Sequence, residues 1–145
     1  MIFLETSQSL LPEDLTALQD QFNIKLPPDF KEHYLKFNGG YPEKRHFQWP
    51  DQQTTRINAF KSIKYEGFGS FEETYTDLVL LEEYLPAGIL PFAVDDGGNF
   101  FCISARDEDY NNIYYCNNDD YNPENNEEHL TWLTNNFGDF LDRLV

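Results

Sequence analysis

Asp95 and Asp96 are the residues whose type and position most directly suggest chemistry. They open a five-residue segment, 95–99, that contains only Asp, Gly and Asn. Two neighbouring carboxylates can act as the acid and the base of a hydrolase, although adjacent strand residues point to opposite faces, which argues against their cooperation. The same composition is typical of a tight turn, because Gly accepts positive φ and Asp or Asn side chains bond nearby amides. The segment therefore favours a turn over a catalytic pair.

Asp107 and Asp109 begin a second acidic pattern, which reads Asp-x-Asp-x-Asn like the start of a calcium loop. An EF-hand loop has Gly at its sixth position and Glu at its twelfth. This chain has Asn112 and Asn118 at those positions. The pattern therefore predicts no calcium site.

The histidines and cysteines show no spacing that is typical of a metal site or an activated nucleophile. His33, His46 and His129 are scattered, without the i, i+4 or Cys-x-x-Cys spacing of a zinc site. Cys102 and Cys116 fall in predicted strands, where reduced thiols behave as small apolar residues. No Cys or Ser lies in an activating motif, and no phosphate-binding loop occurs. We expect no cofactor, no metal and no enzymatic activity.

The net charge of −16 is distributed unevenly along the chain. Residues 1–65 contain eight Lys or Arg and eight Asp or Glu, whereas residues 66–145 contain two basic residues and eighteen acids. A surface of one sign repels nucleic-acid phosphates and anionic membranes, and it speeds the encounter with a basic protein. We therefore expect a basic protein partner and no direct contact with nucleic acid or membrane.

Length and composition predict one domain with its own core. The 145 residues include 13 Phe, 9 Tyr and 2 Trp, and aromatic side chains bury large apolar areas. The sequence contains no apolar run of the roughly 18 residues that a membrane span needs, and no signal-peptide pattern. A cytoplasmic location is the resulting expectation.

Four segments have the apolar spacing of amphipathic helices. The predicted helices are residues 10–22, 28–37, 71–84 and 136–144. Ser9 and Asn136 are the expected caps of the first and last of these. In the third helix, Tyr75, Leu78 and either Leu81 or Leu85 are expected to face the core.

Short β-rich runs predict a mostly antiparallel sheet. The predicted strands are residues 46–50, 54–63, 89–94, 100–103 and 113–116. Residues 89–104 read as the central hairpin, which turns at 95–99. Residues 129–134 fit either a strand or a helical turn, and residues 117–128 are polar enough for a long exposed loop.

Several of these segments together resemble the landmarks of the Smi1/Knr4 family, also called SUKH. They occur in the family's order, and they read Leu26-Pro-Pro-Asp-Phe-Lys, Asn38-Gly-Gly, Leu85-Pro-Ala-Gly-Ile-Leu-Pro-Phe-Ala-Val-Asp-Asp-Gly-Gly-Asn and Asn136-Phe-Gly-Asp-Phe-Leu. The resemblance implies a single α+β domain, in which about four helices pack on a twisted, mostly antiparallel sheet of about five to six strands. In bacteria it implies an immunity protein that neutralises a polymorphic toxin, often a nuclease. Fungal relatives act in cell-wall regulation.

Two classes of function follow from these observations. The first is a stoichiometric binder whose acidic surface covers the basic substrate channel of a cognate toxin domain. Exposed acids steer such a partner and Tyr side chains supply contact area, and the residues predicted for this face are Asp95, Asp96, Asp107, Asp109, Tyr110, Asp119, Asp120 and Tyr121. The second class is a small carboxylate-based hydrolase. A signalling scaffold cannot be separated from the first class by sequence.

Overall fold

Four α-helices and eight β-strands are present in the computed structural model, which describes residues 1–145. The helices are α1 (Pro12–Phe22), α2 (Pro28–Lys36), α3 (Phe71–Tyr75) and α4 (Phe137–Asp142). The strands are β1 (Phe3–Leu4), β2 (Tyr41–Pro42), β3 (His46–Gln48), β4 (Thr54–Phe60), β5 (Ile89–Asp95), β6 (Phe100–Ser104), β7 (Ile113–Cys116) and β8 (Leu130–Thr134). The structure therefore has the α+β class that was predicted.

Six strands form one antiparallel sheet in the order β3-β4-β5-β6-β7-β8, and β1 pairs with β2 in a separate small sheet. Each strand of the large sheet pairs with its neighbour in sequence. The predicted central hairpin is confirmed, since β5 pairs with β6 from Ile89 opposite Ser104 to Val94 opposite Phe100. Residues 130–134 are a strand, which decides between the two interpretations left open by their sequence.

The two edges of the large sheet differ. The β3 edge is covered by the last residues of the chain: the amide of His46 donates to the carbonyl of Val145 over 3.1 Å, and the amide of Val145 donates back over 2.7 Å. The β8 edge pairs with no further strand, and Trp132 on it is 52% exposed. The large sheet is curled, and α4 together with the C-terminal residues connects β8 to β3.

Aromatic side chains fill the core between the helices and the sheet, as the composition predicted. Phe30 of α2 lies 5.4 Å from Phe137 of α4, measured between ring centroids, and Phe137 lies the same distance from Phe92 of β5. All three rings are almost completely buried. Cys102 and Cys116 are buried and unpaired, as expected.

The helix starts depend on side-chain caps, one of which was predicted correctly. Asn136 caps α4, because its side-chain oxygen accepts from the amide of Asp139 over 2.8 Å. Ser9 does not cap α1. The carboxylate of Asp14 instead reaches back and accepts from the amide of Leu11 over 2.8 Å.

The third predicted helix, residues 71–84, is α-helical only as far as residue 75 and ends at residue 81. The α-helical part ends at Tyr75, and a π-helix (Thr76–Leu81) follows, in which hydrogen bonds span five residues instead of four. The wider turn changes which side chains face the core. Val79 is 4% exposed, and of the two residues offered for the last core position Leu85 is 1% exposed and Leu81 is 73% exposed.

Candidate functional site

Asp95, one of the residues of the predicted binding face, has a structural role. Asp95 is 6% exposed. One carboxylate oxygen accepts from the amides of Gly97 and Asn99, each over 2.9 Å, and the other accepts from the hydroxyl of Tyr115. Its inclusion among the partner-binding residues is therefore corrected: this carboxylate holds the turn of the central hairpin.

Asp96 contacts residues of β4 and does not form an acid–base pair with Asp95. Its carboxylate accepts from Arg56 over 2.8 Å in an ion pair that is nearly half exposed on both sides. The amide of Asn58 is a second donor, at 3.3 Å. Hydrogen bonds from Arg56 lower the pKa of Asp96. The two adjacent carboxylates thus have separate partners, as expected for neighbouring strand residues.

The prediction that Asp109 contacts a partner is also corrected. Asp109 belongs to a largely buried network around Arg106. The Arg106 guanidinium contacts Asp109 at 2.5 Å, and the two side chains are 14% and 11% exposed. Asp109 also accepts from the hydroxyls of Ser104 and Tyr114. Burial opposes its ionisation, but the hydrogen bonds outweigh burial and lower the pKa of Asp109. Its charge is already balanced within the fold.

Arg106 also connects this network to the acidic loop, by which we mean residues 117–128. The guanidinium donates to both oxygens of Glu127 over 3.0 Å. Asp107, in the same turn as Arg106, is exposed, and Tyr110 is partly buried with an unpaired hydroxyl. Arg106 therefore fixes one end of the acidic loop to the β6–β7 connection.

The other end of the acidic loop is fixed to the central hairpin. The backbone amide of Asn118 donates to the side-chain oxygen of Asn99 over 2.8 Å, and the Asn118 side chain donates to the carbonyl of Gly98 over 2.9 Å. A short 3₁₀ turn over residues 118–120 leaves Asp119 and Asp120 exposed. The acidic loop is thus bound at one end to the turn of the central hairpin and at the other end to Arg106. Its sequence predicted only a long exposed loop.

Tyr121 joins the acidic loop to the segment that follows the π-helix. Its ring lies 4.5 Å from that of Tyr84 and 5.2 Å from that of the buried His129. The side chain of Asn126 donates to the carbonyl of Glu83 over 3.0 Å. These contacts bring two segments that are about forty residues apart in sequence to the two sides of one cleft.

We call this feature the acidic cleft, and its volume is 590 Å³. One wall comes from residues 79–87 and the other from residues 121–127. Four glutamates line it: Glu82, Glu83, Glu124 and Glu127. Apart from the Arg106–Glu127 contact, these glutamates form no ion pair. Unbalanced like charges in a concave site attract cations and repel anions.

Glu82 and Glu83 were not among the residues predicted for the binding face, because both lay inside a predicted helix. Of the predicted face, Tyr121 lines the cleft, and Asp119 and Asp120 lie in the turn before it. Asp96 and Asp107 are exposed but do not line it. The available signal was the pair of acids directly after the apolar run Leu78–Leu81, because Glu side chains are seldom buried.

Cys116 and His129 form a pair beside the cleft that resembles a nucleophile and its base. The sulfur lies 3.6 Å from Nδ1 of His129, and both residues are buried. Burial raises the pKa of Cys116 to about 12 and lowers the pKa of His129. The thiol therefore stays neutral near pH 7, whereas an activated cysteine needs the thiolate.

The His, Cys, Asp and Glu side chains form no group of three or more that could hold a metal ion. None of the helices combines the length and the apolar character that crossing a membrane requires.

The order of the landmarks and the curled six-stranded sheet with its helices agree with one known family. The model of the SMI1 / KNR4 family (SUKH-1) matches residues 10–143. The chain belongs to this family. Comparison with curated proteins gives no match. Membership in SUKH-1 is consistent with a protein of the immunity type, and the matched range includes both walls of the acidic cleft.

Proposed function

We propose that this SUKH-1 protein is a non-enzymatic immunity protein that binds a cognate toxin domain and blocks it. The toxin domain has a basic contact surface, as a nuclease that binds nucleic-acid phosphates would have. The complex forms in the cytoplasm, where such a toxin would act. The binding face is the acidic cleft together with the exposed acids of the acidic loop.

The acidic cleft is the single observation that supports this proposal most strongly. Glu82, Glu83 and Glu124 line one concave site and have no cationic partner within the chain. A stable fold gains nothing from such an arrangement, since like charges that are close together repel. A basic partner would relieve that repulsion, and this explains why the charges are kept together.

The geometry also favours binding over catalysis. The candidate nucleophile Cys116 is buried with a raised pKa, and the adjacent carboxylates Asp95 and Asp96 have separate structural partners. The cleft is instead rigidly framed, with its acidic loop fixed at Asn118 and Glu127. A framed, charged surface binds a partner with little loss of conformational entropy.

The test is binding to the toxin domain encoded beside this gene, measured by surface plasmon resonance at low and high salt. A triple variant, E82Q/E83Q/E124Q, should reduce the association rate about 10-fold at low salt, because electrostatic steering acts mainly on association. The triple variant E5Q/E13Q/D20N changes the net charge equally, at exposed positions of the other half of the chain. This control should change the rate less than about 2-fold.

Two results would contradict the proposal. If the unmodified protein does not bind the toxin domain, the immunity function is wrong. If the two triple variants weaken binding equally, net charge rather than the acidic cleft attracts the partner. Toxin activity measured with and without the protein completes the test, because an immunity protein must inhibit at a one-to-one ratio.

A further inference from the structure

Two adjacent leucines are exposed where the π-helix ends. Leu80 is 54% exposed and Leu81 is 73% exposed. Both precede Glu82 and Glu83 of the acidic cleft directly in sequence, and Val79 before them lines that cleft. Leu80 and Leu81 do not line the cleft themselves, but they are two large exposed apolar side chains placed directly between two of its lining residues in sequence, Val79 and Glu82.

The exposed leucines are the last two residues of the π-helix (Thr76–Leu81). The amide of Glu82 donates to the carbonyl of Asp77 over 3.0 Å, across five residues. This register places Val79 in the core at 4% exposure and leaves Leu78 only partly buried. The next two leucines are exposed, and of the two residues that the apolar spacing offered for the core, Leu85 is inside and Leu81 is outside. π-Helical turns are rare and occur frequently at functional sites.

We propose that Leu80 and Leu81 are the apolar anchor through which this surface holds a basic protein partner, and that they insert into an apolar depression on that partner. This inference rests on the proposed function and adds which residues keep the complex together. Protein interfaces commonly combine an apolar centre with a polar rim that excludes water. Here the leucines would form the centre, and the glutamates of the cleft would form the rim.

The charge identifies the kind of partner that fits. A second copy of this chain would place unpaired glutamates against one another, and its own net charge is −16, so self-association through this face is unfavourable. A protein with Lys or Arg around an apolar depression satisfies both parts of the surface. The acids and the leucines should then affect binding differently, because steering changes association and desolvated apolar contacts change dissociation.

The experiment compares L80A/L81A with L11A in binding to the toxin domain encoded beside the gene. Leu11 is 63% exposed and lies before α1, so L11A controls for the loss of an exposed leucine. We expect L80A/L81A to dissociate at least about 10-fold faster, with an unchanged salt dependence of association. L11A should behave like the unmodified protein. A variant that keeps the apolar volume, L80M/L81M, should retain binding within about 3-fold.

Each outcome decides one question. Thermal unfolding of the free proteins checks that L80A/L81A is folded, and its midpoint should match that of the unmodified protein because both side chains are already exposed. Unchanged dissociation of L80A/L81A would overturn the anchor while leaving the immunity function intact. Failure of the unmodified protein to bind would overturn both proposals. If L80M/L81M is as defective as L80A/L81A, the leucines act through the backbone of the π-helix and the anchor is wrong.

Discussion

Replacing Arg106 by Met removes the guanidinium that connects Asp109 to Glu127 and keeps most of the aliphatic side chain. Arg106 and Asp109 are 14% and 11% exposed, so the substitution leaves a nearly buried carboxylate without its cation. Breaking a buried ion pair in this way costs roughly 3–5 kcal/mol. Ser104 and Tyr114 still donate to Asp109, so we expect a loss of about 2–3 kcal/mol in the free energy of unfolding.

Urea denaturation followed by circular dichroism measures this loss of unfolding free energy. In a thermal melt the same loss corresponds to a fall of about 5–10 °C in the midpoint temperature. The loss should shrink as the pH falls below 3.8, the ordinary pKa of Asp109. The network lowers this pKa in the folded protein, so its contribution is present above that value and disappears as the carboxylate is protonated. Amide exchange in residues 121–128 should also accelerate, since Glu127 is released.

The matched control is R56M, which breaks the ion pair with Asp96. That pair is 44% and 45% exposed, so its loss should cost less than about 1 kcal/mol. An R106M variant that is no less stable than R56M would refute the reasoning. The double variant R106M/D109A gives a second test. If its loss of unfolding free energy equals the sum of the losses in R106M and D109A, the reasoning is refuted, because the effects of two coupled residues should not be additive.

Two further predictions concern groups outside the acidic cleft. Burial lowers the pKa of His33 to about 4 in the folded protein, from 6.5 in the unfolded chain. Between pH 4 and pH 6.5 the unfolded state therefore binds a proton that the folded state does not bind. The free energy of unfolding should therefore fall by up to about 3 kcal/mol as the pH drops from 6.5 to 4, and denaturation curves of H33Q should lack this part of the loss. Gly40 has φ +78°, and an added Cβ would lie 2.3 Å from the carbonyl oxygen of Leu4, so G40A should cost roughly 2 kcal/mol or more. G97A, whose added Cβ meets nothing closer than 3.5 Å, should be nearly neutral in the same assay, and equal losses would contradict the steric argument.

Local patterns in the sequence predicted most of the regular elements. The apolar spacing gave α1, α2 and α4, and the Asp-Gly turn gave the hairpin of β5 and β6, because these features depend on residues close together in sequence. The third predicted helix differs from the structure, because it continues as a π-helix after residue 75. Its leucines fit an α-helical stripe that could end at Leu81 or at Leu85, and the spacing alone did not decide that Leu85 is buried and Leu81 exposed. The two-residue strands β1 and β2 were too short to leave a pattern.

The candidate site was less accessible to sequence reasoning, because it is built from distant contacts. Arg106 and Glu127 are 21 residues apart, and Asn126 and Glu83 are 43 apart. Composition predicted an acidic surface in the second half of the chain but did not separate its acids by role. Asp95 and Asp109 balance internal donors, whereas Glu82 and Glu83 are left free. That difference depends on the position of each donor in three dimensions.

The pairing of β3 with the last residues of the chain has a consequence for synthesis in the cell. His46 bonds with Val145, and Gln48 donates its amide to Arg143, across almost one hundred residues. The ribosome releases residues 46–48 long before residues 143–145, so the outer strand waits with its backbone groups uncovered. Such a strand can pair with another nascent chain. Overproduction should therefore favour aggregates, and a lower level of expression or a chaperone that shields β3 should raise the yield.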